Sequence, residues 1–213
     1  MKDIDLSYIP ADYPRIHVVD SMDVLFTAKF EGAVNCIVHP RRLKGDFNAL
    51  AVHVHRVLSA PPVLQEMEFY QWSYRCTGTT SIMLPHVKFL FGDVAADMRM
   101  AADAIESDIG ILEKYDDVSF LRVDSPAYYA RINKGTSICQ FHTDGGNGEK
   151  GRVLACYTDP VTEYLRDDNG GVHAFRSGDI WRQAVDETVI VRAFEHRMPE
   201  FSTSGTARLL VLT

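Results

Sequence analysis

The chain has 213 residues, 46% of them hydrophobic and 24% charged, so it can bury one sizeable core and is most simply a single domain. Its 22 basic and 29 acidic side chains give a net charge of −7 without a basic patch, so no nucleic-acid partner is expected. The N-terminal residues lack the pattern of a signal peptide, and no apolar run approaches the roughly 18 residues of a membrane span. We therefore expect a cytoplasmic protein without a membrane partner; its oligomeric state stays open.

The first 117 residues are predicted to be mainly helical. DFNALAVHVHRVL (46–58) has apolar residues at helical spacing behind Asp46, a suitable N-cap. VLQEMEFYQWSYR (63–75) is a second helix candidate. DVAADMRMAADAIESDIGILEKY (93–115) carries one apolar stripe, with Asp93 as its predicted N-cap. We expect residues 1–117 to form a mainly helical support region for the rest of the chain.

The hydrophobic period changes to two from about residue 118. Seven short segments are rich in β-branched and aromatic residues and are separated by Gly, Asn, Asp or Ser. They are VSFLRV (118–123), AYYARIN (127–133), SICQFH (137–142), RVLACYT (152–158), GVHAF (171–175), TVIVRAFEH (188–196) and ARLLVLT (207–213). Such a series predicts an antiparallel sandwich or barrel. The order of helices and strands predicts an α+β fold, one domain over 1–213 with a β core at 118–213 and the helices packed on one sheet.

His142 and Asp144 lie at the end of a predicted strand, in QFHTDGG. Residues i and i+2 of a strand point to the same face, so both side chains can converge on one point. An imidazole nitrogen with a carboxylate oxygen suits Fe(II), Mn(II) or Zn(II). The same residues also suit a turn in which the aspartate caps the backbone. The pair alone leaves both interpretations open.

A third metal ligand has to come from a distant strand. His196 ends TVIVRAFEH, and Arg208 follows on the last predicted strand, where it shares a face with Leu210. An inward arginine needs a carboxylate partner, whereas an arginine at the rim keeps its head in solvent. Both placements remain open for Arg208, and a surface position is the default for Arg152.

The combination of HxD, a later histidine and then an arginine resembles the iron(II)- and 2-oxoglutarate-dependent oxygenases, whose fold is a double-stranded β-helix (a jelly-roll or cupin-like core). The resemblance covers roughly Tyr128 to Thr213. It rests on YYARINKGTSICQFHTDG, the turns NGG (169–171) and RSGD (176–179), and the closing EHRMPEFSTSGTARLLVLT. YTDPVTEYL and EHRMP resemble most a bacterial family of unknown function within that superfamily.

The resemblance implies a role for each matching residue. His142, Asp144 and His196 would be the metal-binding and catalytic facial triad for Fe(II), with 2-oxoglutarate and dioxygen in its open positions. Arg208 would hold the far carboxylate of 2-oxoglutarate. Decarboxylation to succinate would then drive hydrogen abstraction from a substrate C–H bond. The Asp of HxD leaves no halide position, so hydroxylation or demethylation of a small-molecule or peptide substrate is expected.

The chain departs from the family pattern two residues after the arginine. Leu210 stands where some members have Ser or Thr, so the co-substrate carboxylate needs another helper, for which Tyr129, Asn133 and Tyr157 are candidates. The glycine-rich GGNGEKG (145–151) is either a lid or a loose loop. A cupin-like protein that binds a metal or small acid without oxygenase turnover is the alternative function. A β-barrel binding module with an incidental HxD is a third.

Overall fold

The fold is described from a computed structural model of the chain. It describes residues 4–59, 79–83, 90–92, 94–115, 120–124, 140–188, 190–199 and 208–213. The chain divides into two compact units: Met1–Arg42 with Gly135–Cys156 and Pro160–Glu200, and Leu43–Lys134 with Tyr157–Asp159 and Phe201–Thr213. Both units therefore combine segments that are far apart in sequence. No helix among the described residues is long and apolar enough to cross a membrane.

Three helices and ten strands are described, most of the strands short. In chain order they are β1 (Ile16–Val18), α1 (Met22–Thr27), β2 (Cys36–His39), α2 (Phe47–Ser59), β3 (Thr79–Met83), α3 (Ala96–Tyr115), β4 (Phe120–Asp124), β5 (Arg152–Cys156), β6 (Glu163–Leu165), β7 (Val172–Ala174), β8 (Ile180–Gln183), β9 (His196–Arg197) and β10 (Arg208–Leu212). The structure is thus a mixed α and β fold.

The first unit contains β1, β2 and β5 to β9, among them the strands next to the candidate site. β1 pairs with β2 in parallel, while β8 pairs antiparallel with β2 on one side and β5 on the other. In this register Gln183 faces Cys36 on one neighbour and Arg152 on the other. All four residues of β8 are buried, because both neighbouring strands cover its edges and side chains cover its faces.

A second sheet of the first unit has the order β7-β6-β9. Its register places Tyr164 directly opposite His196. Tyr164 is fully buried, and its ring centroid lies 4.9 Å from that of Phe175 and 5.6 Å from that of Phe194. Phe175 in turn lies 4.6 Å from Trp181. This aromatic cluster forms a core beside the strand that carries His196.

The second unit packs two helices and three strands. β10 pairs antiparallel with β4, and β4 pairs antiparallel with β3. α2 and α3 contact each other. Each helix is buried along one stripe, α2 through Leu50, Ala51 and Val54 and α3 through Ala101, Ala102, Ile105, Ile109 and Leu112. The helical period of the sequence therefore predicted these faces correctly.

The two longer helices, α2 and α3, confirm most of the helix predictions. Asp46 caps α2, because its Oδ1 accepts a hydrogen bond of 2.8 Å from the backbone N–H of Ala49. α3 begins at Ala96, three residues after the predicted cap, Asp93. The helix predicted over 63–75 lies outside the described residues.

The strand predictions were partly wrong. β5, β7 and β10 lie within predicted segments, and β4 extends one residue beyond its segment, to Asp124. TVIVRAFEH is strand only from His196 onward among its described residues. β1, β2 and β3 lie in the half predicted to be mainly helical, and β6 and β8 were missed as well. β2 and β8 are buried on both faces, so neither shows the alternation by which a strand is recognised. AYYARIN and most of SICQFH lie outside the described residues.

Candidate metal centre

The two histidines of the predicted site meet through their backbones. His142 and His196 form an isolated antiparallel bridge, in which each N–H donates to the carbonyl of the other at 2.9 Å. Such a reciprocal pair places the two side chains on the same side of the strands. Their ring centroids are accordingly 4.7 Å apart. Two residues that are distant in sequence are thus held side by side.

Asp144 brings its carboxylate to the same point. Its Oδ2 lies 3.3 Å from Nε2 of His196, and its Oδ1 lies 4.0 Å from Nε2 of His142. One ligand atom from each of the three side chains can be chosen so that all lie within 4.8 Å of one another. Within the described ranges, this is the group of three His, Cys, Asp or Glu side chains that could hold a metal ion.

The second nitrogen of each histidine ring has its own partner. Nδ1 of His142 lies 2.9 Å from the carbonyl oxygen of Gln140, to which it can donate while Nε2 keeps its lone pair. Nδ1 of His196 lies 3.2 Å from Nε2 of Gln183 and 3.4 Å from the carbonyl oxygen of Phe194. A carbonyl oxygen at Nδ1 orients a histidine ring and, by accepting the Nδ1 proton, leaves Nε2 free to bind a cation.

The charges around Asp144 keep it ionised. Burial alone would raise the pKa of its carboxyl group, but the hydrogen bond and charge of His196, with the charges of Arg152 and His142, lower that pKa below its ordinary value. Nη1 of Arg152 lies 3.1 Å from Oδ1. Asp144 is therefore an anionic oxygen donor at neutral pH, as a metal ligand has to be.

The donor set fits a divalent cation with open positions. Two imidazoles and one carboxylate are the ligands of non-haem Fe(II) oxygenase sites. Ligand atoms that share an octahedral ion at about 2.1 Å lie about 3 Å apart, close to the separation of His196 and Asp144. His142 has to approach by roughly 1 Å, and it is the most exposed of the three, with 34% of its side chain accessible.

The glycine-rich loop after Asp144 is anchored at several points. The carbonyl of Asp144 accepts from the N–H of Asp186 at 2.9 Å, and the N–H of Gly146 donates to Oε2 of Glu187 at 2.7 Å. A Cβ on Gly148 would stand 2.1 Å from the carbonyl oxygen of Glu187. The loop 145–151 therefore packs against the turn at 185–188, and its small residues permit that approach.

No family model matches the chain, and no curated protein matches its sequence. A dioxygenase for auxin oxidation from rice is similar in structure, with a TM-score of 0.51 at 11% identity over 92% of this chain and 81% of that one. The two proteins share a fold. At this level of identity the likeness extends to the fold alone.

Two further solved structures are similar over much of the chain. One is the dioxygenase for auxin oxidation 1 from Arabidopsis thaliana in a binary complex with 2-oxoglutarate, with a TM-score of 0.46 at 13% identity over 84% of this chain and 81% of that one. The other is a full-length protein from Neurospora crassa in complex with alpha-KG and thymine. It has a TM-score of 0.46 at 10% identity over 96% of this chain and 86% of that one.

Arg208 and Tyr157 lie in the other compact unit. Arg208 is buried at the start of β10, with Nη1 3.6 Å from Oδ2 of Asp124, the residue opposite it on β4. Tyr157 is also buried, and its hydroxyl donates to Oδ2 of Asp108 at 2.6 Å. A phenol has one O–H group, so Tyr157 could donate a hydrogen bond to a co-substrate only by breaking its hydrogen bond to Asp108. Tyr129 and Asn133 lie outside the described residues.

Two side chains that contact the centre were not expected from the sequence. Gln183 reaches both Asp144 and His196, and Arg152 pairs with Asp144 although a surface position was its default. The available signal for Gln183 was its position two residues after Trp181, because a strand places residues i and i+2 on one face. The signal for Arg152 was a charge at the start of a strand that is otherwise apolar.

Proposed function

We propose that the chain is an Fe(II)- and 2-oxoglutarate-dependent dioxygenase that hydroxylates or demethylates a small-molecule or peptide substrate. The observation that carries this proposal is the convergence of His142, Asp144 and His196. Two imidazoles with one carboxylate leave positions of an octahedral ion free for a co-substrate and dioxygen. The fold shared with the rice dioxygenase for auxin oxidation supports the same reaction class.

The chain itself would supply binding and orientation. His142 and His196 would bind Fe(II) through Nε2, and Asp144 would bind it as an anion held by Arg152 and Gln183. The bound iron and 2-oxoglutarate would supply the oxidation of a substrate C–H bond, with succinate and carbon dioxide as co-products. A half-exposed His142 beside a buried His196 leaves one side of the centre accessible to a substrate.

Arg208 remains our proposed anchor for the far carboxylate of 2-oxoglutarate. Its guanidinium is buried and always charged, and it can bind a carboxylate with two parallel hydrogen bonds. Asp124 is already 3.6 Å from one of its nitrogens, so the co-substrate would share the guanidinium with that aspartate. Tyr129 and Asn133 stay candidates for a second hydrogen-bond donor to the co-substrate carboxylate. Tyr157 is a weaker candidate, because its hydroxyl already donates a hydrogen bond to Asp108.

The deciding experiment is the titration of the oxygen-free protein with Fe(II) and then 2-oxoglutarate. We expect the weak visible charge-transfer band that a 2-oxoglutarate chelate gives on non-haem iron. Bound iron without this band would contradict the dioxygenase and leave the cupin-like protein that binds a metal without turnover. Failure to bind any divalent cation would contradict the dioxygenase and the metal-binding protein, and would leave a cupin-like protein that binds a small acid or a β-barrel binding module.

Ligand assignment is tested with single alanine variants. His142→Ala and His196→Ala should each lose Fe(II) binding, whereas His173→Ala should keep it. His173 is a matched control because it is a partly buried histidine of the same compact unit, and it stacks on Tyr164 rather than on the triad. Equal loss of Fe(II) binding in all three variants would show a general effect of histidine removal and overturn the assignment of His142 and His196 as ligands.

The role of Arg208 is tested by the affinity for 2-oxoglutarate. Arg208→Lys keeps the charge beside Asp124 but loses the paired hydrogen bonds, so we expect weaker 2-oxoglutarate binding by at least about tenfold with unchanged Fe(II) affinity. An unchanged 2-oxoglutarate affinity would remove Arg208 from the site while leaving the metal centre intact.

A further inference from the structure

We propose that Gln183 is a positioning residue of the metal centre: its amide group holds the carboxylate of Asp144 toward the two histidines. The inference rests on the proposed function in so far as the centre binds a metal. It assigns a task to a side chain that is not itself a metal ligand. Three features of the structure support it, namely burial, a fixed amide orientation and two acceptors.

Gln183 is fully buried at the end of β8, between strands β2 and β5. A buried side-chain amide is costly unless its hydrogen bonds are made, so its partners account for its presence in a buried strand. A methionine of similar length would fill the same space but would not accept from the indole N–H of Trp181. The polar atoms of Gln183 therefore need an explanation that packing does not give.

Trp181 determines which way the amide points. Its indole N–H lies two residues earlier on the same face of β8 and donates to Oε1 of Gln183 at 3.0 Å. An indole nitrogen can only donate, so the atom that it meets has to be the amide oxygen. Trp181 is itself fully buried, with its ring against Phe175. The amide NH₂ of Gln183 consequently faces away from Trp181.

The two N–H bonds of that NH₂ group meet two members of the triad. Nε2 of Gln183 lies 3.0 Å from Oδ2 of Asp144 and 3.2 Å from Nδ1 of His196. Arg152 holds the other carboxylate oxygen, Oδ1, at 3.1 Å. Both oxygens of Asp144 are therefore fixed by donors from two neighbouring strands, and the carboxylate is held toward the histidines.

The hydrogen bond from Gln183 to His196 exists in one tautomer of the ring, the one in which Nε2 carries the proton and can donate to Oδ2 of Asp144 at 3.3 Å. An amide NH₂ can only donate, so Nδ1 of His196 accepts and the ring proton lies on Nε2. A cation at Nε2 requires that proton on Nδ1 instead, where the carbonyl oxygen of Phe194 lies 3.4 Å away and can accept it. The bond from Gln183 to Asp144 is compatible with both states, so it is the bond that supports metal binding.

The first test replaces Gln183 by methionine and measures Co(II) binding through the visible bands of the ion. Gln183→Met should bind Co(II) roughly tenfold or more weakly than the unchanged protein. Asn35→Leu is the matched control, because Asn35 is a buried amide of the same unit whose Nδ2 donates to the carbonyl oxygen of Arg192. We expect its Co(II) affinity to stay within about twofold of the unchanged protein.

The second test separates positioning from packing through the visible bands of the bound Co(II). At saturating Co(II), the bands of Gln183→Met should differ in position or intensity from those of the unchanged protein, because the carboxylate of Asp144 is no longer held in the same place. The bands of Asn35→Leu should not differ, because the amide of Asn35 donates to the carbonyl oxygen of Arg192.

These outcomes separate the inference from the function on which it rests. Unchanged Co(II) affinity with unchanged Co(II) bands in Gln183→Met overturns the role of Gln183 and leaves the dioxygenase proposal standing. An unchanged protein that binds no divalent cation overturns the dioxygenase proposal and this inference with it. If Gln183→Met does not fold, Gln183→Asn carries both tests, because its shorter side chain draws the amide away from Asp144.

Discussion

Single side chains at the centre show what sequence reasoning can reach. The convergence of His142, Asp144 and His196 was predicted because their chemistry is visible in the residue types and because HxD needs only the alternation of a strand. Gln183 was not found, because a glutamine carries no such signature and its role exists only through Trp181 and the register of β8. Supporting residues of a metal centre are set by tertiary contacts rather than by spacing.

Arg152 gives a prediction at the scale of one residue. Burial raises the pKa of the Asp144 carboxyl group, and His196 and then the charge of Arg152 lower it, so that it lies below its ordinary value. Arg152→Met removes that charge, so the pKa of Asp144 should rise toward its ordinary value. We expect to see this by ¹³C NMR titration of the carboxyl group in the metal-free protein.

The pH dependence of stability follows from the sign of that shift. A carboxyl whose pKa is lowered on folding stabilises the protein above its unfolded pKa of about 3.9 and loses this contribution as the pH falls through the folded value. In Arg152→Met the contribution should be smaller and should disappear at a higher pH, as urea unfolding at several pH values would show. Arg192→Met is the control, since the charge of Arg192 acts on Glu195 and Asp167. An equal change in the control would contradict the assignment.

Strands and helices differed in how well the sequence predicted them. α2 and α3 are long enough for a helical stripe to repeat several times, so both were predicted and their buried residues agree. β2 and β8 have four residues each and are buried on both faces, so no alternation marks them. Short strands covered on both sides become recognisable only when their partners are known.

The entry into β5 gives a prediction at the scale of an element. Gly151 precedes β5 with a φ of +73°, and a Cβ there would stand 2.5 Å from the carbonyl oxygen of Gln183 and 2.8 Å from the ring of Phe30. Gly151→Ala should therefore lower the free energy of unfolding by about 2–4 kcal/mol, from backbone strain and overlap together. Urea unfolding measures this change.

Gly170 offers a matched comparison for that variant. Its φ of +71° is nearly the same, but a Cβ there would meet no atom within 4 Å. Gly170→Ala should therefore cost only the backbone strain, about 1 kcal/mol. If both variants lose the same stability, the contact with Gln183 adds nothing, and the pairing of β5 with β8 at this point is looser than the structure shows.

In each compact unit of the molecule, segments that are far apart in the sequence lie together. The predicted order of helices followed by strands is a property of neighbouring residues, whereas each compact unit joins segments from both halves of the chain. The triad also depends on long-range pairing, because β6 pairs with β9 and the bridge joins His142 to His196, which are far apart in sequence. A metal that binds these residues would therefore bind the folded chain and not the unfolded one.

Metal binding should accordingly stabilise the entire protein. A ligand at 100 times its Kd that binds only the folded state adds about 2.7 kcal/mol. For a chain of 213 residues this corresponds to a rise in Tm of roughly 5–10 °C. We expect this rise when Mn(II) is added to the unchanged protein and to His173→Ala, and no rise in His196→Ala, as measured by calorimetry. A rise that persists in His196→Ala would place the bound Mn(II) away from the triad, because a folded state that has lost one of three ligands cannot retain the same affinity.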